Sequence, residues 1–195
     1  MKEENKNIKE NSVYKGSGVF FSSDSHMGHS NIIKYCSRPF ADVNHMDEHL
    51  IEQWNNTVGP NDTIYHLGDF SFGDHSKYLN RLNGRKILIK GNHEKQPSIK
   101  DGWTYIHDFG TEIKLNGLSI TLCHYKMSVF NKSHHGAIQF YGHSHGTLLG
   151  NKQQLDVGVD NVAKYGLGYR PVSLDEALKI MKTLPDFKRD DYHGD

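Results

Sequence analysis

The 195-residue chain predicts an α/β fold, and three observations carry that expectation. Short apolar runs alternate with stretches of helical periodicity through the first half, the order of strand–helix–strand units around a largely parallel sheet. The second half switches to hairpin character around Asn116-Gly117, which adds a second sheet of mixed direction. Five of the apolar runs end abruptly in loops built from Asp, His, Asn and Gly.

The elements follow in order. Val19-Phe20-Phe21 is a buried strand that hands over to Ser22-Ser23-Asp24-Ser25-His26. Asn31–Tyr35 is briefly helical and stops before Arg38-Pro39. From Asn44 to Asn56, Met46, Leu50, Ile51 and Trp54 share one helical face, with Asn44 as the expected N-cap. Thr63–Leu67 is the second strand, followed by Gly68-Asp69. Ser76–Leu82 predicts a helix closed by Asn83-Gly84, and Ile87-Leu88-Ile89 a strand running into Lys90-Gly91-Asn92-His93-Glu94. Glu112–Leu122 alternates about the Asn116-Gly117 turn and leads to Cys123-His124. Ala137–Tyr141 feeds Gly142-His143-Ser144-His145, and Leu155–Val159 is the last expected strand. Ser173-Leu174-Asp175-Glu176 is a capping box opening a helix to about Lys182, before a charged tail beyond Pro185.

Length and composition bound the function. At 195 residues with 35% hydrophobic content, one domain over 16–195 is expected, preceded by a polar arm over 1–15. Lys+Arg and Asp+Glu both total 23, so the chain lacks the strongly basic balance of a nucleic-acid-coating protein. Cys36 and Cys123 make neither a disulfide framework nor a metal-type pair. No apolar run approaches the ~20 residues of a membrane span. The Lys/Glu/Asn-rich N-terminal stretch is not a signal peptide, so a soluble cytoplasmic protein is expected, as monomer or homodimer.

The strand ends carry the chemistry. Ligands in layered α/β folds bind at the carboxyl ends of strands, where neighbouring loops converge. Here those ends offer Asp24 and His26, Asp69, Asn92 and His93, His124, and His143 and His145. Carboxylate, imidazole and amide oxygen without thiolate suit Mn²⁺, Fe²⁺, Zn²⁺ or Ni²⁺. In Asp24-x-His26 and His143-x-His145 an extended backbone would send both side chains to one face.

Asp24-Ser25-His26, Gly68-Asp69, Gly91-Asn92-His93-Glu94, His124 and Gly142-His143-Ser144-His145, in that order, resemble the full signature of the calcineurin-like metallophosphoesterases. The longer context from Phe21 to His29, with Arg38-Pro39-Phe40, is similar to a compact bacterial and phage subgroup of predicted phosphoesterases. The resemblance implies a four-layer αββα sandwich with two mixed central sheets. It implies two divalent cations, Mn²⁺ foremost, the first held by Asp24, His26 and His145 and the second by Asn92, His124 and His143, with Asp69 bridging. It further implies a phosphodiesterase or phosphatase in which a metal-bridging hydroxide attacks in line and His93 acts as general acid or transition-state stabiliser.

Several of the remaining polar residues admit more than one role. His29 is a candidate contact to substrate phosphate or to a carboxylate behind the metal ligands, or a helix N-cap. Arg38 is a candidate phosphate ligand or a surface residue before a turn proline. His66 fits a core position, Glu94 a hydrogen-bond acceptor for the Asn92 loop, and Asp156 and Asp160 either orient a ligating histidine or lie at the surface. Lys132, His134 and His135 sit in a polar loop. The expected substrate is a small phosphate ester or nucleotide. A nuclease, or a non-catalytic metal-binding scaffold of the same fold, is the alternative.

Overall fold

The computed structural model describes residues 18–187, so the arm expected over 1–15 and the end of the charged tail lie outside the described residues. β1 (Val19–Ser22) grows from the Val-Phe-Phe run and is followed by α1 (Ser30–Tyr35) and α2 (Val43–Thr57). α2 begins earlier than its apolar stripe suggests. Asp42, extended at φ −155°, accepts a hydrogen bond from His45 N at 2.9 Å, so Asp42 is the N-cap and Asn44 lies inside the helix. β2 (Thr63–His66) pairs in parallel with β1, and β3 (Arg85–Ile89) in parallel with β2. Between them α3 (Ser76–Leu79) is shorter than the expected 76–82 helix. β4 (Tyr105–His107) extends the sheet in parallel.

The second sheet opens with the hairpin of β5 (Gly110–Leu115) and β6 (Leu118–Cys123). Asn116 and Gly117 both take positive φ, 50° and 82°, as a two-residue turn matched to strand twist requires. β7 (Ile138–Tyr141) and β8 (Gln154–Asp156) then add in parallel. β8 stops before the expected Val159, where α4 (Val159–Lys164) begins. The chain returns to the first sheet as β9 (Val172–Ser173), antiparallel to β1, and ends the described part with α5 (Leu174–Lys182). The strand orders are β4-β3-β2-β1-β9 and β5-β6-β7-β8, so both sheets are mixed.

Two apolar layers hold this arrangement. Phe21, Tyr65, Leu67 and Ile89 from the first sheet meet Ile120, Leu122, Phe140 and Leu155 from the second, with Ala177, Ile180 and Met181 of α5 joining them. Phe21 and Phe140 touch edge to face at 4.7 Å. Ile64 and Leu88, facing the other way, pack under Met46, Leu50, Ile51 and Trp54 of α2 and Leu79 of α3. Each such side chain contributes about 1.5–3 kcal/mol when fully buried. The result is an α/β sandwich of two mixed sheets flanked by helices. The carboxyl ends of β1, β2, β3, β6 and β7 all open toward one region.

Candidate metal centre

Each strand passes its last apolar residue to a sharp turn, and those turns hold the candidate ligands. Asp24, His26, Asp69, His143 and His145 all have positive φ, between 48° and 63°. That left-handed conformation is uncommon and costly for residues other than Gly, and such residues cluster at functional sites. The Asp-x-His and His-x-His pairs therefore reach a common site through paired left-handed turns, not along the extended backbone their spacing suggests. The turns are pinned across strands: Asp24 N donates to Gly68 O, and His26 N to Asp69 O, each at 3.0 Å. Gly68 has φ +97°, and a Cβ there would sit 2.5 Å from Gly91 N and 2.7 Å from His124 Nδ1, so no side chain fits.

The expected ligands fall into two clusters, and His145 also belongs to a third group with Cys36 and Asp160. Asp24, His26 and His145 offer one donor atom each within 4.8 Å of one another, as do Asp69, His124 and His143. Asp69 lies between them: its Oδ2 is 3.6 Å from both His26 Nε2 and His124 Nε2. Asn92 Oδ1 stands 3.1 Å from His124 Nε2. All seven expected ligands are thus brought together, four strand-end loops contributing to the Asp69 side and two to the Asp24 side. Asn92 and His143 are exposed, which leaves that side open to solvent.

The donor atoms are arranged for a cation. Leu67 O can only accept, so the 2.7 Å bond from His124 puts the proton on Nδ1 and leaves a lone pair on Nε2. That lone pair faces the oxygens of Asn92 and Asp69, an arrangement that repels unless something positive lies among them. His26 Nε2 is buried without a hydrogen-bond partner, and 3.6 Å is too long for a bond to Asp69. Burial, helped by His145 and Arg38, pushes the His26 pKa down to about 2, so the ring is neutral and can coordinate. Burial also pulls on His145, but its bonds to Asp160 and Cys36 and the charge of Asp24 raise it to about 10. Asp24 is raised well above the usual carboxylate range by burial, with Asp156 and Asp69 adding to it. A carboxylate buried this deeply beside other acids calls for a cation or a proton.

The residues around the clusters take definite places. His93 is half-exposed at the open side, Nε2 3.9 Å from Asp69 Oδ2, while its backbone N–H donates to Asp69 Oδ1 at 3.0 Å. Glu94 accepts from Phe70 N at 2.8 Å and Gly91 N at 2.6 Å, bracing the Asn92 loop as its acceptor role predicts. His29 occupies the N-cap of α1 but makes no side-chain cap bond; its ring stacks on Phe72 at 4.5 Å beside His26. His66 is fully buried, bonded to Ser25 Oγ at 2.9 Å, and burial holds its pKa near 3. Lys132, His134 and His135 form an exposed turn over Ser133–His135.

Arg38 is placed differently from the phosphate ligand considered on sequence grounds. Its side chain is fully buried, and every N–H is engaged by Asp160, the Asp24 and Ser25 carbonyls or Met46 Sδ, so none remains for a phosphate. Asp160 in turn accepts from His145 Nδ1 at 2.7 Å, which turns Nε2 of that ring toward Asp24 and His26. Asp156 accepts from Ser144 Oγ at 2.5 Å and Gly146 N at 2.9 Å, bracing the His143–His145 turn. Both aspartates were visible as acids beside the last strand, yet only the fold shows that Asp160 meets the His145 ring while Asp156 holds the turn through Ser144 and Gly146. A cavity of about 480 Å³ adjoins His145 and Asp160, lined by Tyr35, Cys36, Thr147, Lys164 and Tyr169. Neither Lys164 nor Tyr169 carries a sequence signal that would single it out. Among the described residues no helix is long and apolar enough to cross a membrane.

No family model matches the chain. An uncharacterised protein of Methanocaldococcus jannaschii is 33% identical over 187 residues, covering 86% of this chain and 97% of its own. The gene 66 protein of Mycobacterium phage D29 is 29% identical over 179 residues, covering 74% of this chain and 88% of its own. Among solved structures, a protein of unknown function from Aquifex aeolicus superposes with a TM-score of 0.65 at 27% identity, over 84% of this chain and 99% of that one.

Proposed function

We propose, for a chain that belongs to the same family as the uncharacterised Methanocaldococcus jannaschii protein, that it is a phosphoesterase of the calcineurin-like type dependent on two divalent cations. One observation carries the reading: the buried, unpartnered Nε2 of His26 and the acceptor atoms of His124, Asn92 and Asp69 converge on a space that a cation would fill. Asp24, His26 and His145 would hold the first ion, Asn92, His124 and His143 the second, with Asp69 shared. Bound there, two divalent ions would polarise a phosphoryl group and supply a nucleophile from water at neutral pH. Mn²⁺ is the ion of first choice, with Fe²⁺, Ni²⁺ or Zn²⁺ compatible with the same donors.

The charge balance favours an anionic substrate. Asp24 and Asp69 are the only anionic members of the proposed ligand set, so two divalent ions would leave the centre positive overall. A phosphate ester meets that excess; a neutral ester does not. Asp69 and Asp24, both on left-handed turns, would hold the ions. His93, at the open side and outside the ligand set, would give a proton to the leaving oxygen. His29 and Phe72 border the same opening and would meet the substrate there. The cavity beyond His145 is large enough for the non-reacting part of a small nucleotide-type ester. A neutral chain of this size favours such a substrate over a nucleic acid.

The test is release of product from an aryl phosphodiester and an aryl phosphomonoester with added Mn²⁺, beside the Asp69→Asn variant. Wild type is expected to turn over at least one of them and the variant neither. Absence of turnover with Mn²⁺, Ni²⁺, Fe²⁺ and Zn²⁺ across both ester types, including nucleotides, would reject the activity.

A further inference from the structure

We infer that Arg38 and Asp160, neither of them a ligand, act as a positioning pair that ties the two sheets together at the first metal position. The inference rests on the metal centre proposed above. Arg38 Nε and Nη2 hold Asp160 Oδ1 and Oδ2, each at 2.8 Å, the bidentate geometry that guanidinium favours. The same guanidinium takes the carbonyls of Asp24 at 2.7 Å through Nη2 and of Ser25 at 2.9 Å through Nη1. Those carbonyls belong to the loop after β1 in the first sheet. Asp160 lies in α4, directly after β8 of the second sheet, and its Oδ2 receives His145 Nδ1–H at 2.7 Å. One unbroken chain of bonds therefore runs from the Asp24–His26 turn through Arg38 and Asp160 to His145.

This pair is arranged to set geometry more than to add stability. A buried ion pair recovers little beyond its desolvation cost, and apolar replacements of both partners are often neutral. What an apolar pair would not reproduce is the orientation of His145 and the hold on the left-handed Asp24 turn. Lysine would not reproduce it either, since it lacks the planar fork that reaches two carbonyls and a carboxylate at once. The second position has separate supports: His124 on Leu67 O, and Glu94 on the backbone N–H groups of Phe70 and Gly91. Loss of Arg38 should accordingly affect one position and not the other.

The experiment is a Mn²⁺ titration followed by electron paramagnetic resonance, which counts bound ions and distinguishes an exchange-coupled pair from isolated ions. It compares wild type, Arg38→Lys and the double variant Arg38→Met/Asp160→Asn, which leaves no unpaired buried charge. Circular dichroism establishes that each is folded. Wild type should bind two ions with a coupled spectrum. In both variants one ion should bind as before, while affinity for the other falls about 10–100-fold, the range for loss of a group that orients a ligand. The spectrum at intermediate Mn²⁺ should then be that of isolated ions. Two ions bound with wild-type affinity in folded Arg38→Lys would overturn the inference, as would equal weakening at both positions. Should the double variant fail to fold, Arg38→Lys alone decides. A wild type that binds no Mn²⁺ would overturn the metal centre itself, a result separable from failure of the pair.

Discussion

A histidine offers a lone pair to a cation only when its other ring nitrogen holds the proton, and the partners of that other nitrogen are visible here. Leu67 O fixes His124, and Asp160 fixes His145. His93 differs because no hydrogen bond among the described residues holds its ring: the backbone is held by Asp69 while the side chain stays half-exposed. His93→Ala is therefore expected to keep Mn²⁺ binding and to lose about 10²–10⁴-fold in kcat on esters with poor leaving groups. A nitrophenyl ester, which needs little protonation, should lose far less; equal losses on both would remove His93 from proton transfer. Gly68 makes the complementary case for backbone. Gly68→Ala would drive a Cβ against Gly91 N and His124 Nδ1, so Mn²⁺ at the second position should be lost and the melting temperature lowered. A variant with an unchanged titration would show that the turn can relax.

At the scale of elements, local signals located most of the pieces and misjudged their ends. The capping box over Ser173 and Glu176 forms as its sequence predicts, Glu176 N to Ser173 Oγ at 3.3 Å and Ser173 N to Glu176 at 3.0 Å. Ser173→Ala should cost about 1 kcal/mol in denaturant unfolding. Arg170 hydrogen-bonds Glu176 and holds its carboxyl at about 2, below its ordinary 4.5. A depressed folded value means stability that is full above pH 4.5 and lost as pH falls toward 2. Glu176→Gln should flatten that part of the acid-unfolding curve, and an unaltered curve would assign the acid sensitivity elsewhere. The short elements β4, β9 and α4 have no periodicity of their own to read; they exist because β3, β1 and the Asp156 turn give them partners. Asp42 displaced Asn44 as N-cap because capping depends on an extended φ, which the residue type alone does not reveal.

Across the whole molecule the centre lies where two sheets meet, so metal binding and folding should be linked. Ligands from both sheets must be in place together, and a cation bound only by the folded state stabilises it by mass action. Mn²⁺ at about 100 times its dissociation constant should add about 2.7 kcal/mol per site, read as a raised melting temperature. Asp69→Asn should abolish most of that rise; a full rise in this variant would place the ions elsewhere. Side-chain chemistry at the strand ends was legible in the sequence, because apolar runs and the polar loops that follow them are local patterns. So were the α/β class, the hairpin at Asn116-Gly117 and the order of the seven candidate ligands. The left-handed turns, the cavity beside His145 and the place of Arg38 were not. Arg38 and Asp160 stand 122 residues apart, and only packing of one sheet on the other makes them partners. Residue types along the chain determine which chemistry is on offer. Long-range contacts decide which atoms face one another, and here they turn an arginine that looks like a phosphate ligand into a tie between the two halves of the site.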